Sequence, residues 1–538
     1  MIIPKPKNEI KINDGLFSMP PELIADLNDF EFRCLSAFIE RCGLTVSDLA
    51  NVKTDDSKKA WIHLERCESI LDEGYDLSVD INGIKIKAST EQGVVWALCT
   101  LTELKDILGK VPFMELIDFP KYKHRGLMLD CARHFFSTDD VKKIIEQMSR
   151  VKMNVLHWHL TDDQGWRIES KRFPKLHEKS KDYYSHEQIC DVIDFASKRG
   201  VEIIPEIDMP GHMTGLLAAY PQYSCCEKEV ECATSGGIYR IILCPGKEET
   251  FSFIEELLEE VCGLFPSKQF HIGGDEAPKY EWKQCPKCKR RMEEEHLEDW
   301  EDLQGYFSMR VIEMLRKKGK YPVLWNDALS ASNLPGDMMI QYWHLQHKKT
   351  TLNYIQKGCK YIYSNMLELY FDYPYSMSPL KRTYNLSAEI NKSGFTDITT
   401  VSGIECCLWT EHVYDRKQLE TLLFPRIFAV AETAWSYDKD YRNFLSKVQM
   451  KLKAPHMTDV IYTPLKDCSL KGKARREDAL AHLRKTVASM SPEIQQESLT
   501  DANFSLKALY ILFTKFFRLS DIPYVISLIR NSKRKKPH

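Results

Sequence analysis

No stretch of this 538-residue chain approaches the ~18 uninterrupted apolar residues that a membrane span requires. Its first residues, Met1 to Lys11, are polar and contain prolines, unlike a secretory leader. The expectation is a cytoplasmic protein as given, or a mature secreted form whose leader has been removed. Charge of one sign is lacking as well. The net charge is −3, and the one basic run, Lys533, Arg534, Lys535 and Lys536, lies in a terminal tail, so neither nucleic acid nor a membrane is expected as a partner. No internal repeat or low-complexity segment of consequence appears. The 17 cysteines follow no disulfide-scaffold rhythm, and reduced thiols fit their scatter. Cys285-Pro-Lys-Cys288 is a lone CxxC without a second pair at ligand spacing, although Cys225, Cys226 and Cys232 precede it. Neither a metal nor another cofactor is therefore expected. Oligomeric state is left open.

What is present describes a soluble globular protein: 43% hydrophobic, 28% charged and 11% aromatic residues, which excludes disorder. The length exceeds one ordinary core and implies two or three domains. Residues 1–118 form a small α+β domain in this reading. The alternating run Tyr75 to Ile81, the turn pair Asn82-Gly83 and the run Ile84 to Ala88 predict a hairpin, with an amphipathic helix over Gly93 to Leu108 packed on it. From 119 to 440 short apolar strands alternate with amphipathic helices. Strands are predicted at Gly126–Cys131, Asn154–Leu160, Val201–Ile207, Gln269–Gly273, Tyr321–Trp325, Met338–Trp343, Lys360–Ser364 and Gly403–Trp409. Helices are predicted between them, at Thr138–Met153, His186–Arg199, Glu249–Leu264, Leu303–Lys318 and Thr351–Lys357. A (β/α)8 TIM barrel, an α/β fold, closes eight such strands without an exposed edge. Residues 441–538 read as a helical C-terminal extension, with runs at Ala479–Ala488 and Leu506–Phe517.

Chemistry collects after the strands. The apolar runs end in Asp130 with Arg133; His157, His159, Asp162 and Asp163; Glu206, Asp208 and His212; His271, Asp275 and Glu276; Trp325 and Asp327; Trp343 and His344; Tyr370 and Asp372; Trp409 and Glu411. In a barrel those ends converge on one rim, a carboxylate-rich pocket walled by tryptophan. Indole faces stack on the apolar faces of sugar rings while carboxylates and an arginine bind hydroxyls, so a carbohydrate is the expected substrate class.

His271-Ile-Gly-Gly-Asp-Glu276 and His157-Trp-His-Leu-Thr-Asp-Asp-Gln-Gly-Trp-Arg167 closely resemble glycoside hydrolase family 20, the β-N-acetylhexosaminidases. His124-Arg-Gly-Leu-Met-Leu-Asp130, Pro205-Glu-Ile-Asp-Met-Pro-Gly-His212, Leu408-Trp-Thr-Glu411 and Phe424-Pro-Arg426 through Ala431-Glu-Thr-Ala-Trp435 fall in the family's order, over roughly residues 1 to 440. A conventional retaining glycosidase needs two carboxylates about 5 Å apart on opposite sides of the anomeric carbon. Asp275 and Glu276 are neighbours that share one backbone segment and diverge, so they are poorly placed for that. One can act as acid, and the nucleophile must come from elsewhere. The resemblance implies that it is the sugar's own 2-acetamido oxygen, attacking to form an oxazolinium-type intermediate.

The resemblance also assigns roles. Glu276 would be the acid/base and Asp275 would orient the acetamido group, with Tyr370 donating to its carbonyl and Trp325, Trp343 and Trp409 walling in its methyl. Asp208 and His212 resemble the family's dyad beside the acid, and Asp162 an acidic supporting residue. Arg125 would grip the 3- and 4-hydroxyls, with Asp372 and Glu411 on the 4- and 6-hydroxyls. The expected activity is exo-acting removal of terminal β-linked GlcNAc or GalNAc from glycans or oligosaccharides. Bland alternatives stand beside these roles: Arg125 as the ion partner of Asp130, His157 and His159 as core histidines, Asp163 as structural, the tryptophans as core. Alternatives for the whole chain are a degenerate carbohydrate-binding barrel, a metal-dependent hydrolase and lacto-N-biosidase-like release of a disaccharide.

Overall fold

The computed structural model describes residues 2–489 except 9, 28, 47–59, 393, 396–400 and 437–439. Six strands come first: β1 (Lys11–Phe17), β2 (Ala25–Asp26), β3 (Ile62–Arg66), β4 (Tyr75–Asp80), β5 (Gly83–Ala88) and β6 (Val111–Asp118). Among the described residues they form one sheet in the order β1-β6-β4-β5-β3-β2. The predicted hairpin is β4–β5, antiparallel with Asp80 opposite Gly83. Gly83 is required there: its φ is +139°, and a Cβ would run into the Trp61 carbonyl. The helix Glu91–Leu108 is capped by the Thr90 side chain, which accepts from the Gly93 N–H, and buries Val94, Leu98, Leu101 and Leu104 against the sheet.

The eight predicted barrel strands all form: β7 (His124–Asp130), β8 (Val155–His159), β11 (Glu202–Glu206), β12 (Gln269–His271), β13 (Tyr321–Trp325), β14 (Met339–Tyr342), β15 (Lys360–Tyr363) and β16 (Val401–Leu408). They are parallel and close in sequence order, and a small hairpin, β9 (Thr161–Asp162) with β10 (Gly165–Trp166), stands on the rim after β8. The first barrel helix, Thr138–Arg150, begins at a capping box in which Ser137 and Asp140 satisfy each other's backbone N–H. Its buried Ile144, Ile145 and Met148 face the strands, each contributing about 1.5–3 kcal/mol. The repeat is broken once. Between β13 and β14 the chain makes a 3-10 turn, Asn326–Ser330, because only thirteen residues separate those strands and Pro335-Gly336 interrupts them.

The N-terminal sheet docks on the barrel end where the strands begin. Trp435, closing the helix Arg426–Trp435, enters the sheet's core, packs edge-on against Trp96 at 6.4 Å and donates its indole N–H to Asp118 at 2.9 Å. Lys152 adds bonds to Asp118 at 2.9 Å and Tyr75 at 2.8 Å. In the C-terminal region the helix Gly472–Ser489 covers the predicted run 479–488, whereas Leu506–Phe517 lies outside the described residues. Lys485 of that helix donates to the His412 carbonyl at 2.6 Å, placing the extension beside the loop after β16. Among the described residues no helix is long and apolar enough to cross a membrane.

Candidate active site

Beyond β12 the chain turns through Gly273 and Gly274, with φ of +65° and +95°, and Glu276 itself lies at +45°. A Cβ at Gly273 would strike the Asp208 carboxylate, and the Gly274 N–H donates to Asp208 Oδ1 at 3.0 Å. The two glycines thus let the backbone wrap one buried carboxylate. The turn sends Asp275 inward, 7% exposed, and leaves the Glu276 side chain 35% exposed at the mouth.

His212, on the loop after β11, joins these groups. Its Nε2 is 3.6 Å from Glu276 Oε2 and 4.0 Å from Asp275 Oδ2, while Nδ1 is 3.3 Å from both Asp162 and Asp163. Burial opposes the charged imidazole, but Asp162 outweighs it and raises the His212 pKa well above its usual value. Burial likewise works against ionised Asp162, and Arg133 and His212 more than offset it, holding that carboxyl well below the ordinary range. Asp275 goes the other way. Burial and the neighbouring Glu276 and Glu206 push it up to about 6, and burial together with Asp275 raises Asp208. Carboxylates a few ångströms apart are therefore held in opposite protonation tendencies, the arrangement acid/base chemistry needs.

The aromatic residues do meet. Trp325, Trp343, Tyr370 and Trp409 belong to one buried cluster with Met128 and Cys407. Tyr370 stacks on Trp343 at 5.8 Å with 10° between planes, and Trp409 lies 6.0 Å from Tyr370 and 5.8 Å from Trp325. Trp325 is fixed from below, its indole N–H donating to Glu206 Oε1 at 2.7 Å. Glu206 also meets His159, His271 at 2.8 Å and His157 at 3.1 Å, and His157 reaches Glu405 at 2.8 Å. The alternation of His157 and His159 along a strand predicts histidines of the core or packed behind the site rather than metal ligands. They sit in an ionic layer within the barrel, in which burial disfavours charged His157 but Glu206 and Glu405 raise its pKa to about 9.

Arg125 is not at this site, which corrects the sequence assignment. It is the second residue of β7, at the barrel's opposite end, 0% exposed, with its guanidinium on Glu73 at 2.5 Å and on the carbonyls of Tyr122 and Lys152 at 2.7 Å. Nor does it pair with Asp130, which stands at the other end of β7. The arginine on the rim is Arg133, with Nη2 2.7 Å from Asp162, Nη1 3.5 Å from Asp130 and its guanidinium 4.8 Å over the Trp409 ring. Arg133 Nε is buried with no hydrogen-bond partner among the described residues, as are Asp275 Oδ1 and Asp372 Oδ1. Asp372 and Glu411 adjoin: burial and then Glu411 raise Asp372 well above its usual value. Asp163 has a structural duty, accepting from the Thr214 N–H at 3.0 Å and its hydroxyl at 2.6 Å. Asp327 is a further rim carboxyl, raised by burial and by Asp275 and Glu276. Outside the site, Cys285 and Cys288 are not a lone pair, since Cys225 and Cys244 join them.

Carboxylates of contrasting proton affinity set beside indole faces are the equipment of a glycoside hydrolase. Comparison with known proteins places the chain more closely. It belongs to glycosyl hydrolase family 20, whose catalytic-domain model matches residues 122–438 and whose domain 2 model matches residues 1–118. It is 33% identical to a beta-hexosaminidase of Vibrio furnissii over 468 residues, 80% of this chain and 76% of that protein. To a beta-hexosaminidase of Porphyromonas gingivalis it is 32% identical over 424 residues, 72% of this chain but only about half (54%) of that longer protein. Among solved structures, a family 20 exo beta-N-acetylglucosaminidase from Vibrio harveyi in complex with N-acetylglucosamine superimposes with a TM-score of 0.76 at 28% identity, covering 86% of this chain and 78% of the other.

Proposed function

We propose that the chain is an exo-acting, retaining β-N-acetylhexosaminidase that removes terminal β-linked GlcNAc or GalNAc by substrate-assisted catalysis. The observation that carries this is the pairing at His212: adjacent carboxyls on one strained turn, one buried against an aromatic wall and one at the mouth. Asp275 accepts the acetamido N–H and offsets the positive charge that develops on the folded-back ring, while Tyr370 donates to the acetamido carbonyl. Trp325, Trp343 and Trp409 close around the methyl and exclude water that would compete with cyclisation. Glu276 protonates the leaving oxygen and then takes the proton of the water that opens the oxazolinium intermediate. His212, held by Asp162, steadies both carboxyls, with Asp208 behind them. Arg133, Asp372 and Glu411 bind the ring hydroxyls. The Vibrio harveyi neighbour, solved with N-acetylglucosamine, supports the sugar class.

The test is a hydrolysis screen over nitrophenyl β-GlcNAc, β-GalNAc, β-glucose and β-lacto-N-bioside without added metal. The two monosaccharide N-acetyl substrates should be cleaved. Turnover of the glucoside at a comparable rate would end the acetamido mechanism, and selective cleavage of the lacto-N-bioside would replace exo-monosaccharide release. A paired experiment separates the two arginines. Arg133→Met should lower kcat/KM of the folded fraction about 100-fold through lost charge-assisted bonds, and should also cost stability because the buried Asp162 and Asp130 lose their guanidinium. Arg125→Met should cost roughly 3–5 kcal/mol of stability by stranding the largely buried Glu73, but with kcat of the folded fraction little changed.

A further inference from the structure

Four of the 17 cysteines, Cys225, Cys244, Cys285 and Cys288, converge from three stretches of chain, although forty residues separate the second from the third. All four sulfur atoms lie within 4.8 Å of one another. Cys225 and Cys288 are 3.6 Å apart, Cys244 and Cys288 3.6 Å, and Cys244 and Cys285 3.8 Å. None of these is a disulfide, which needs about 2.05 Å. They match the edges of a different object: four sulfurs placed tetrahedrally about 2.3 Å from a zinc ion stand about 3.8 Å from each other.

The backbone is shaped to bring them together. Ser224 and Leu243 form an antiparallel bridge, and the Cys244 N–H donates to the Tyr223 carbonyl at 2.9 Å, so Cys225 and Cys244 emerge side by side. Gly246 then lets this strand pass against the backbone of Lys287 and Cys288, where any Cβ would collide. Cys285 is the N-cap residue of the helix Pro286–Glu294, whose first turn carries Cys288, so one short segment delivers both sulfurs of the CxxC. Ile242, Trp282 and Leu303 shut water out on the core side, and Cys244, Cys285 and Cys288 are buried. Lys247 supplies positive charge nearby and ties the incoming loop through the Gln222 and Ser224 carbonyls, each at 2.7 Å.

We propose that these four cysteines form a closed structural zinc site that staples the loop after β11 to the loop after β12. It has no open coordination position and takes no part in bond cleavage. Its effect on the active site is mechanical. Cys225 and Cys244 are the two feet of a loop whose middle reaches the sugar pocket: Gln164 donates to the Ser235 carbonyl at 2.8 Å, the Ala233 N–H donates to Asp163 at 2.9 Å, and Gly236 faces the Glu411 side chain. Cys285 lies nine residues beyond Glu276 on the other loop.

Full-length protein purified in reductant without added metal should carry about one zinc per chain by elemental analysis. Mercurial titration of its thiols should release that zinc. The Cys285→Ser/Cys288→Ser variant should fall below about a tenth of an equivalent, and Cys190→Ser, at an exposed cysteine, should keep the full complement. If the double variant does not fold, wild-type protein grown on cobalt decides the matter, because a tetrahedral cobalt tetrathiolate absorbs strongly in the visible region. Zinc below about a tenth of an equivalent in the wild type, iron in its place, or a colourless cobalt protein would overturn the proposal. So would a thiol titre on the unfolded chain two or four below the 17 of the sequence, which would mean disulfides.

Discussion

Glu276→Gln should lower kcat on a GlcNAc-terminated oligosaccharide by about 10³- to 10⁴-fold while the protein stays folded. The amide keeps the shape of the side chain at the mouth, and His212, 3.6 Å away, remains hydrogen-bonded to Asp162. What goes is the proton. An alkoxide leaving group cannot depart without it, whereas nitrophenolate can, so the deficit on a nitrophenyl glycoside should be smaller by about 10-fold or more. Equal deficits on the two substrates, measured as kcat at saturation, would show that Glu276 is not the acid.

Asp275→Asn should cost about 10²- to 10³-fold in kcat on N-acetyl sugars, because a preorganised negative charge beside a developing cation is replaced by a neutral dipole. Affinity for a thiazoline mimic of the cyclised intermediate should fall in parallel, and unchanged affinity would sink substrate assistance. Stability separates this loss from damage to the fold. With the carboxyl's pKa raised from 3.8 to about 6 by burial, its ionised form is disfavoured in the native state. The penalty is absent below pH 4, grows as pH rises through 6, and reaches on the order of 3 kcal/mol above it. The variant, freed of that penalty, should melt at the same temperature as wild type or higher at pH 7.5. The same shift gives wild-type kcat/KM an acid limb with an apparent pKa near 6, since the ionised form is the working one. The limb should vanish in Asp275→Asn.

Most of the barrel was legible because a strand buried on both faces is written as a short apolar run. All eight such runs became strands, with ends displaced by a residue or two. The rim was legible by the same token, since residues just past those runs must share one end of the barrel. Arg125 shows the limit of motif matching. It precedes the apolar run of β7 and so belongs to the end where strands begin, while Arg133, three residues past Asp130, carried the right positional signal. Glu405 was hidden inside a run read as apolar, because a charge inside a barrel is tolerated only when partners such as His124 and His157 arrive from other strands. Cys244 was invisible for a similar reason. No spacing rule links a single cysteine to a CxxC forty residues on, and only the bridge between Ser224 and Leu243 makes them neighbours.

The layer of Glu206, Glu405 and His157 beneath the tryptophans ties the fold's endurance to acidity. Both glutamates are held well below their usual range against the pull of burial, Glu206 by the histidines around it (His271, His159 and His157) and Glu405 by His157, so their contribution exists above about pH 4.5 and is forfeited as protons arrive in acid. His157, raised to about 9, works in the reverse sense: its contribution is complete below about pH 6.5 and drains away as the medium climbs through 9. Alkali and acid therefore attack the same hub from opposite sides, and the interval that keeps the hub charged also contains the point at which Asp275 becomes an anion.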